Sequence, residues 1–329
     1  MTEPQKWTAE HVPDQTGRVF VVTGANSGLG LATTRALARR GATVVLAVRD
    51  EEKGRRAARE LTARLPAGLQ PGARLEVRRL DLADLDSVRA FAHELRRDHP
   101  RLDVLVNNAG IMAPPHTLSA QGHELQFAAH HLGHFALTGL LLDLLAAGHD
   151  PRVVTVTSIN HRRGRIRFDD LDGSRGYRPM AFYNQSKLAN AVFGRELHLR
   201  LTEAGSPVRS LLAHPGYSAT NIVTGAPTPL HRLLFGVLAR PLAQSPERGA
   251  LPQLYAATHP GVRSGEFIGP DGPGELRGAP TRVELAPAAA DVATGRRLWE
   301  LSEGLTGVRY GLPAIGTAGT VGTAGTAGG

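Results

Sequence analysis

The chain has 329 residues, of which 41% are hydrophobic, and this is enough for a globular protein with a substantial core. It contains no cysteine, which excludes disulfides, thiolate metal ligands and a cysteine nucleophile. The net charge of +8 does not indicate nucleic-acid binding, because acidic residues are interleaved and the densest basic run, 161–167, lacks aromatic residues. Residues 1–16, an N-terminal extension, lack the apolar core of a signal peptide, and no run is long enough to span a membrane. We therefore expect a cytoplasmic protein with no nucleic-acid partner.

The first predicted elements are a strand, a glycine turn and a helix. Residues 18–22 form a short, β-branched apolar run that is typical of a strand buried on both faces. The sequence TGANSGLG follows at 23–30, and a helical pattern covers 29–40. Free backbone N–H groups and the helix dipole favour phosphate at such a helix N-terminus, and glycines let the backbone come close to the ligand. The pattern predicts a dinucleotide site, and the alternative is a turn with no ligand.

Strands and helices continue to alternate along the chain. Further strands are predicted over 42–48, 74–80, 102–106, 152–157 and 208–213, and helices over 51–65, 84–98, 125–147 and 182–203. This alternation predicts an α/β fold with a single doubly wound parallel sheet, helices on both faces, and ligands beyond the C-terminal ends of the strands. The domain is expected over 17–310, because residues 311–329 are a Gly/Thr/Ala tail that lacks core-forming side chains and should be disordered.

Tyr183 and Lys187 lie four residues apart near the start of a predicted helix and therefore share a face. Lysine is rare in this chain and otherwise occurs only at Lys6 and Lys53. A nearby ammonium favours the phenolate, so we expect Lys187 to lower the pKa of Tyr183 and to suit it for proton transfer. Ser158, at the end of the fifth strand, would lie close by. The alternative is a surface pair on an amphipathic helix.

Together these motifs resemble the short-chain dehydrogenase/reductase family. The matching motifs, in order, are TGANSGLG at 23–30, Asp81, NNAG at 107–110, Ser158, Tyr183-x-x-x-Lys187 and HPGYSAT at 214–220. Two further stretches, 131–145 and 182–201, resemble the retinol-dehydrogenase-like group, and the C-terminal segments 269–278 and 296–307 look like those of soluble bacterial relatives. The resemblance covers about residues 5–310 and implies a Rossmann-type fold and an NAD(P)-dependent oxidoreductase.

The resemblance also implies roles for individual residues. Tyr183 would transfer the proton, Lys187 would assist it and hold the nicotinamide ribose, and Ser158 would bind the substrate oxygen. Asp81 and Leu82 would hold the adenine. The complete expected cofactor site comprises Thr23, Gly24, Asn26, Ser27, Gly28, Leu29, Gly30, Arg49, Asp81, Leu82, Asn108, Ala109, Gly110, Tyr183, Lys187, Pro215, Gly216 and Thr220.

Arg49 decides the expected cofactor. It follows the second predicted strand, where an acid would hold a ribose 2′-hydroxyl and an arginine would pair with a 2′-phosphate. We therefore predict NADP, while NAD remains the alternative if Arg49 is only a surface residue. In the family, the region corresponding to 221–245 is a lid over the substrate. Its apolar character here implies a hydrophobic small-molecule carbonyl or alcohol as substrate. The alternatives are an ordinary amphipathic helix or a contact within a homo-oligomer.

His130 departs from the family pattern. Relatives carry an asparagine there, in sequences such as VNHLGHF, whereas this chain reads AHHLGHF at 129–135. The relatives' asparagine helps to hold a water that relays protons toward the lysine. A neutral imidazole can donate and accept one hydrogen bond each, so we expect His130 to serve that water as a fourth catalytic residue. On this hypothesis His130→Asn shifts the pH–rate profile. The alternative is a cofactor-binding protein with little turnover, and we expect no metal site.

Overall fold

Eight strands form one sheet in the order β3-β2-β1-β4-β5-β6-β7-β8. The computed structural model describes residues 6–64, 72–217 and 244–314. The strands are β1 (Val19–Thr23), β2 (Thr43–Val48), β3 (Arg74–Arg79), β4 (Val104–Asn107), β5 (Arg152–Val156), β6 (Arg209–Ala213), β7 (Phe267–Pro270) and β8 (Pro280–Arg282). All neighbouring strands pair in parallel except β7 and β8, which are antiparallel. The prediction of a doubly wound, mostly parallel sheet is confirmed.

Helices cover both faces of this sheet. In the described ranges they are α1 (Gly28–Ala38), α2 (Glu51–Arg64), α3 (Leu85–Asp98), α4 (Leu125–Phe127), α5 (Gly133–Leu140), α6 (Leu142–Ala146), α7 (Pro179–Glu203), α8 (Pro246–Gly249), α9 (Leu251–Thr258), α10 (Pro287–Ala290) and α11 (Val292–Thr306). The helix predicted over 125–147 is interrupted, because a π-helical segment, Ala128–Leu132, lies between α4 and α5. Such segments are frequent at functional sites.

The central strands supply both halves of the core. Side chains alternate along β1, so that Val21 packs with residues of α3, α5 and α7 on one face. Phe20 and Val22 pack with residues of α1 and α9 on the other. All three side chains are fully buried, which explains why β1 reads as a continuous apolar run rather than an alternating one.

The last two strands of the sheet, β7 and β8, were not predicted. Each is short, and both contain proline, which normally argues against a strand. A proline cannot donate to the ladder and is therefore tolerated mainly at a sheet edge. Strand β8 occupies that edge.

Both predicted flanking regions make contacts with the domain where the structure describes them. In the N-terminal extension, Trp7 packs edge-on against Tyr255 with ring centroids 5.2 Å apart, and Val12 is buried. Of the predicted tail, residues 311–314 are described, and Leu312 packs against the core. The predicted cofactor residue Thr220, most of the predicted lid and the rest of the tail lie outside the described residues. No helix among the described residues is long and apolar enough to cross a membrane.

Candidate active site

The glycine turn connects β1 to α1 at the C-terminal edge of the sheet. Gly24 and Gly28 adopt φ values of +67° and +55°, which L side chains rarely adopt. At Gly30 the constraint is space, because a Cβ atom would lie 2.6 Å from the Gly24 carbonyl oxygen and 2.7 Å from Asn108 Nδ2. The glycines are therefore required for two physical reasons. Gly24 and Gly28 permit the backbone conformation of the turn, and Gly30 lets α1 pack against it.

The N-terminus of α1 is left open to a ligand. Its N-cap residue, Ser27, makes no side-chain capping hydrogen bond, and the first turn contains no acidic residue. The first N–H groups of a helix have no partner within it, and the helix dipole is positive at this end. A pyrophosphate group would satisfy both features, so the residues present fit a dinucleotide at this position.

Polar contacts behind the turn hold it against β4. The Thr23 hydroxyl oxygen accepts hydrogen bonds from the backbone N–H groups of Asn108 and Ala109, each at 2.9 Å. In return, Asn108 Nδ2 donates to the Thr23 carbonyl oxygen at 2.7 Å. These three predicted cofactor residues are therefore brought together, and their polar groups bind one another. They therefore hold the glycine turn against the end of β4.

The predicted adenine end lies beyond β2 and β3. Asp81 accepts a hydrogen bond from the Ala83 N–H at 3.0 Å, which fixes the loop that carries Leu82. Arg49 is exposed directly after β2 and has no hydrogen bond or ion pair with any residue that the structure describes. Its neighbour Asp50 instead pairs with Lys53 at 3.0 Å. The Arg49 guanidinium is therefore available to an anionic ligand group.

The three predicted proton-transfer residues meet at the C-terminal end of β5. Ser158 follows that strand, and its hydroxyl lies close enough to the phenol of Tyr183 on α7 to lower the pKa of that phenol. Lys187, one turn further along α7, lies with Nζ 5.9 Å from the centre of the Tyr183 ring. Only 7% of Tyr183 and 5% of Lys187 is exposed. The structure thus brings together a hydroxyl, a phenol and an ammonium in a dry site.

Burial dominates the acidity of these groups. It raises the pKa of Tyr183, and the hydrogen bond from Ser158 opposes this rise without cancelling it. Burial also lowers the pKa of Lys187 to about 8. The expected lowering of the Tyr183 pKa is therefore wrong for the protein without ligand, because the desolvation of the phenolate outweighs the favourable interactions.

His130 lies in the π-helical segment, fully buried, with both ring nitrogens bonded to protein atoms. Its Nε2 accepts a hydrogen bond from the backbone N–H of Ile111 at 2.8 Å, and its Nδ1 lies 2.8 Å from Ser186 Oγ. Burial and the nearby charge of Lys187 hold the pKa of His130 well below its usual 6.5, so the imidazole is neutral. The expected water relay would need a ring nitrogen that is not already bonded to the protein.

Comparison with known proteins identifies the fold and its chemistry. The sequence matches the model of the family described as short chain dehydrogenase over residues 18–229. The chain belongs to the short-chain dehydrogenase family. It is 41% identical to retinol dehydrogenase 14 of Homo sapiens over 303 residues, which cover 89% of this chain and 87% of that protein. This relationship places it in the retinol-dehydrogenase-like group and makes it an oxidoreductase by family.

Two solved structures extend the comparison. An uncharacterized protein from Mycobacterium paratuberculosis is 44% identical, with a TM-score of 0.77 over 94% of this chain and all of that one. A proposed NAD(P)-dependent gluconate 5-dehydrogenase from Beutenbergia cavernae is 28% identical, with a TM-score of 0.57 over 74% of this chain and 91% of that one. The second structure contains bound NADP at low occupancy.

In this short-chain dehydrogenase the turn after β6 carries two more of the predicted cofactor residues, Pro215 and Gly216. Gly216 has φ +66°, and its N–H donates to His214 Nδ1 at 3.2 Å. The other nitrogen of that ring, Nε2, donates to Glu275 at 2.8 Å, and Glu275 also pairs with Arg162 at 2.6 Å. The predicted residues Pro215 and Gly216 are thus supported by a buried histidine and an ion pair.

Several residues that support the predicted site were not themselves predicted, namely His214, Glu275, Ser186 and His161. Ser186 could have been found, because it lies between Tyr183 and Lys187 on the same helix. His161 carries no such signal: its Nδ1 donates to the Ser158 carbonyl oxygen at 2.8 Å, and its Nε2 accepts from the Ala286 N–H at 3.2 Å. Contacts of this kind depend on tertiary packing, which a single sequence does not reveal.

Proposed function

We propose that this short-chain dehydrogenase is an NADP-preferring enzyme that interconverts a hydrophobic aldehyde or ketone with the corresponding alcohol. The observation that carries the proposal is the meeting of Ser158, Tyr183 and Lys187 in a buried site at the same sheet edge as the open N-terminus of α1. When bound, the nicotinamide would supply or accept the hydride.

The chain's own groups handle the proton. Tyr183 transfers it between its phenol and the substrate oxygen, while the Ser158 hydroxyl donates a hydrogen bond to that oxygen as negative charge develops. Because the pKa of Tyr183 is raised, its phenol is protonated at neutral pH and ready to act as an acid on a carbonyl group. Lys187, with a pKa of about 8, presents an ammonium near the ring at that pH.

Arg49 supports the preference for NADP. It is exposed at the end of β2, and the structure gives it no partner among the described residues. A guanidinium pairs well with a phosphate, whereas it offers no comparable contact to a ribose 2′-hydroxyl. The bound NADP in the structure from Beutenbergia cavernae shows that a relative of this fold accepts that cofactor.

Exposed apolar residues near the cleft support a hydrophobic substrate. Met180, three residues before Tyr183 on α7, is 43% exposed. Tyr217 follows Gly216 and is 38% exposed, and its N–H donates to the carbonyl oxygen of Leu276, which is 43% exposed. Retinol, named for the relatives, is itself an apolar alcohol. The predicted lid lies outside the described residues, so these three side chains carry the argument.

A panel of aldehydes, ketones and alcohols of graded hydrophobicity tests the proposal. We expect hydride transfer with NADPH or NADP, faster for apolar substrates, and about 10³-fold slower with Tyr183→Phe. A second candidate, a cofactor-binding protein with little turnover, is favoured by the engagement of both His130 nitrogens. Tight NADPH binding without turnover across the whole panel would select that candidate, and a strong preference for NADH would overturn the assignment of Arg49.

A further inference from the structure

Two adjacent buried histidines in the π-helical segment make different hydrogen bonds. His130 contacts the loop after β4 and the catalytic helix α7. His131 instead contacts Ser302 on α11, with Nε2 2.7 Å from the hydroxyl oxygen. Both pairs involve a buried serine, yet only the first lies at the active site.

The tautomer of His130 follows from its partners. The Ile111 N–H can only donate, so Nε2 must be the unprotonated nitrogen. The proton is therefore on Nδ1, which donates to Ser186 Oγ at 2.8 Å. The Ser186 hydroxyl in turn donates to the Tyr183 carbonyl oxygen at 2.7 Å. A continuous chain of hydrogen bonds thus runs from the loop after β4 to the backbone of the predicted catalytic tyrosine.

His130 also touches the catalytic tyrosine directly. The two rings meet edge to face, with centroids 6.0 Å apart and planes at 85°. Gly110 packs on the same imidazole, since a Cβ atom there would lie 3.3 Å from His130 Nε2. The titratable groups that face the imidazole are Tyr183 and Lys187 on α7 and His134 one turn along its own helix. The imidazole therefore contacts Tyr183 both directly and through Ser186.

We propose that His130 is a positioning residue, which holds Tyr183 in place through Ser186 and takes no part in a proton relay. The proposal rests on the proposed function, since it assigns a role within that site. Both ring nitrogens are committed to fixed partners, so the ring has no nitrogen with which to exchange a proton with water. Its effect on the reaction must pass through the orientation of the phenol, to which rates are sensitive.

The tautomers can be measured without turnover. In the full chain labelled with ¹⁵N-histidine, His130 should be the Nδ1–H tautomer and stay so from pH 6 to 8. His131 should be the Nε2–H tautomer, because Ser302 donates its own proton to the Leu298 carbonyl oxygen and must accept from the ring. Assignment uses the spectra of His130→Asn and His131→Asn. An Nε2–H tautomer at His130, or its titration in this range, would overturn the proposal.

A double-mutant cycle tests the link to the tyrosine. The amide of a glutamine reaches about as far as Nε2, and that of an asparagine about as far as Nδ1. His130→Gln therefore keeps the contact with Ile111 and loses that with Ser186, and we expect kcat to fall about tenfold with little change in NADPH affinity. Ser186→Ala should do the same, and the double variant should be no slower than either. His130→Asn keeps the contact with Ser186, so it should lose less kcat than His130→Gln and should keep the wild-type pH–rate profile.

A matched control uses the second histidine–serine pair. His131→Asn and Ser302→Ala each remove an equally buried hydrogen bond, so they should lower the melting temperature while leaving kcat and the pH–rate profile unchanged. The proposal would be overturned by additive losses of kcat at His130 and Ser186, by a shifted pH–rate profile in any His130 variant, or by equal losses of kcat in the control pair. If the wild-type chain turns no substrate over, the proposed function fails. The tautomers, and the same double-mutant cycle measured by thermal unfolding, then still test the hydrogen bonds that link His130 to Tyr183 through Ser186.

Discussion

The cofactor end and the catalytic end of the cleft are built from different materials. At the glycine turn the site is built from the backbone. Gly24, Gly28 and Gly30 have no side chains that would block the turn, and the N-terminus of α1 offers free N–H groups. At the end of β5 and on α7 it consists of buried side chains that are bonded to one another. We expect the first end to accept a charged ligand from water, whereas the second holds ionisable groups away from water.

This difference determines how each end responds to substitution. A backbone-built site fails when a side chain is added, because the new atoms collide with the turn. A site built from buried polar side chains fails when a group is removed, because its partners are left unpaired in a dry environment. Variants at the two ends should therefore separate cofactor affinity from the rate of the chemical step.

Tyr183→Phe should give the largest effect, since it removes the proton donor. We expect a loss of kcat of about 10³-fold, within the range typical of general acid–base catalysis. NADPH affinity, measured by fluorescence titration, should stay near the wild-type value because the glycine turn is intact. A comparable loss of affinity would show that the two ends are not separable. Residual activity near the wild-type rate would remove Tyr183 from the proton transfer.

Gly30→Ala should break the cofactor end. The added Cβ atom would lie 2.6 Å from the Gly24 oxygen and 2.7 Å from Asn108 Nδ2, so the turn must shift. We expect NADPH affinity to fall about 10- to 100-fold and stability to fall by about 1–3 kcal/mol, as for other overpacked sites. Gly304→Ala is the matched control. Gly304 lies exposed on α11 with open space around it, and alanine there should be neutral or slightly stabilising.

The same contrast explains which parts of the molecule could be predicted. The glycine turn can be recognised in the sequence from the spacing of Gly24, Gly28 and Gly30, because the backbone conformation of this turn needs glycine at fixed positions. Tyr183 and Lys187 could be paired because helical periodicity places them on one face. The contact between His130 and Ser186 joins residues 56 positions apart, and only the packing of the π-helical segment on α7 creates it. The sign of the Tyr183 pKa shift also depends on burial, which the motif does not encode.

Arg49→Ala should sharpen the comparison, because Arg49 is the exposed side chain at the otherwise backbone-built end. Removing one charge-assisted contact to a 2′-phosphate should weaken NADPH binding about tenfold and leave NADH binding unchanged. Titrations of both cofactors provide the measurement. Arg56→Ala, which removes another exposed arginine, on α2, should change neither affinity. Equal losses for NADPH and NADH at Arg49 would mean that it does not read the phosphate.

The smallest effect should be a pH dependence of stability that comes from Lys187 at the buried end. Its pKa is lowered to about 8 from 10.5 in the unfolded chain, so above pH 8 the unfolded chain binds a proton that the folded chain releases. Stability from this group must therefore rise with pH, by about 1 kcal/mol between pH 7 and 8.5. Thermal unfolding should show this rise in the wild type relative to Lys187→Met, and Lys53→Met, which removes an exposed lysine, should retain it. If stability rose equally with pH in the wild type and in Lys187→Met, the Lys187 ammonium would be solvated in the folded protein. The catalytic end would then not be dry at Lys187, and the contrast with the solvent-exposed cofactor end would be wrong.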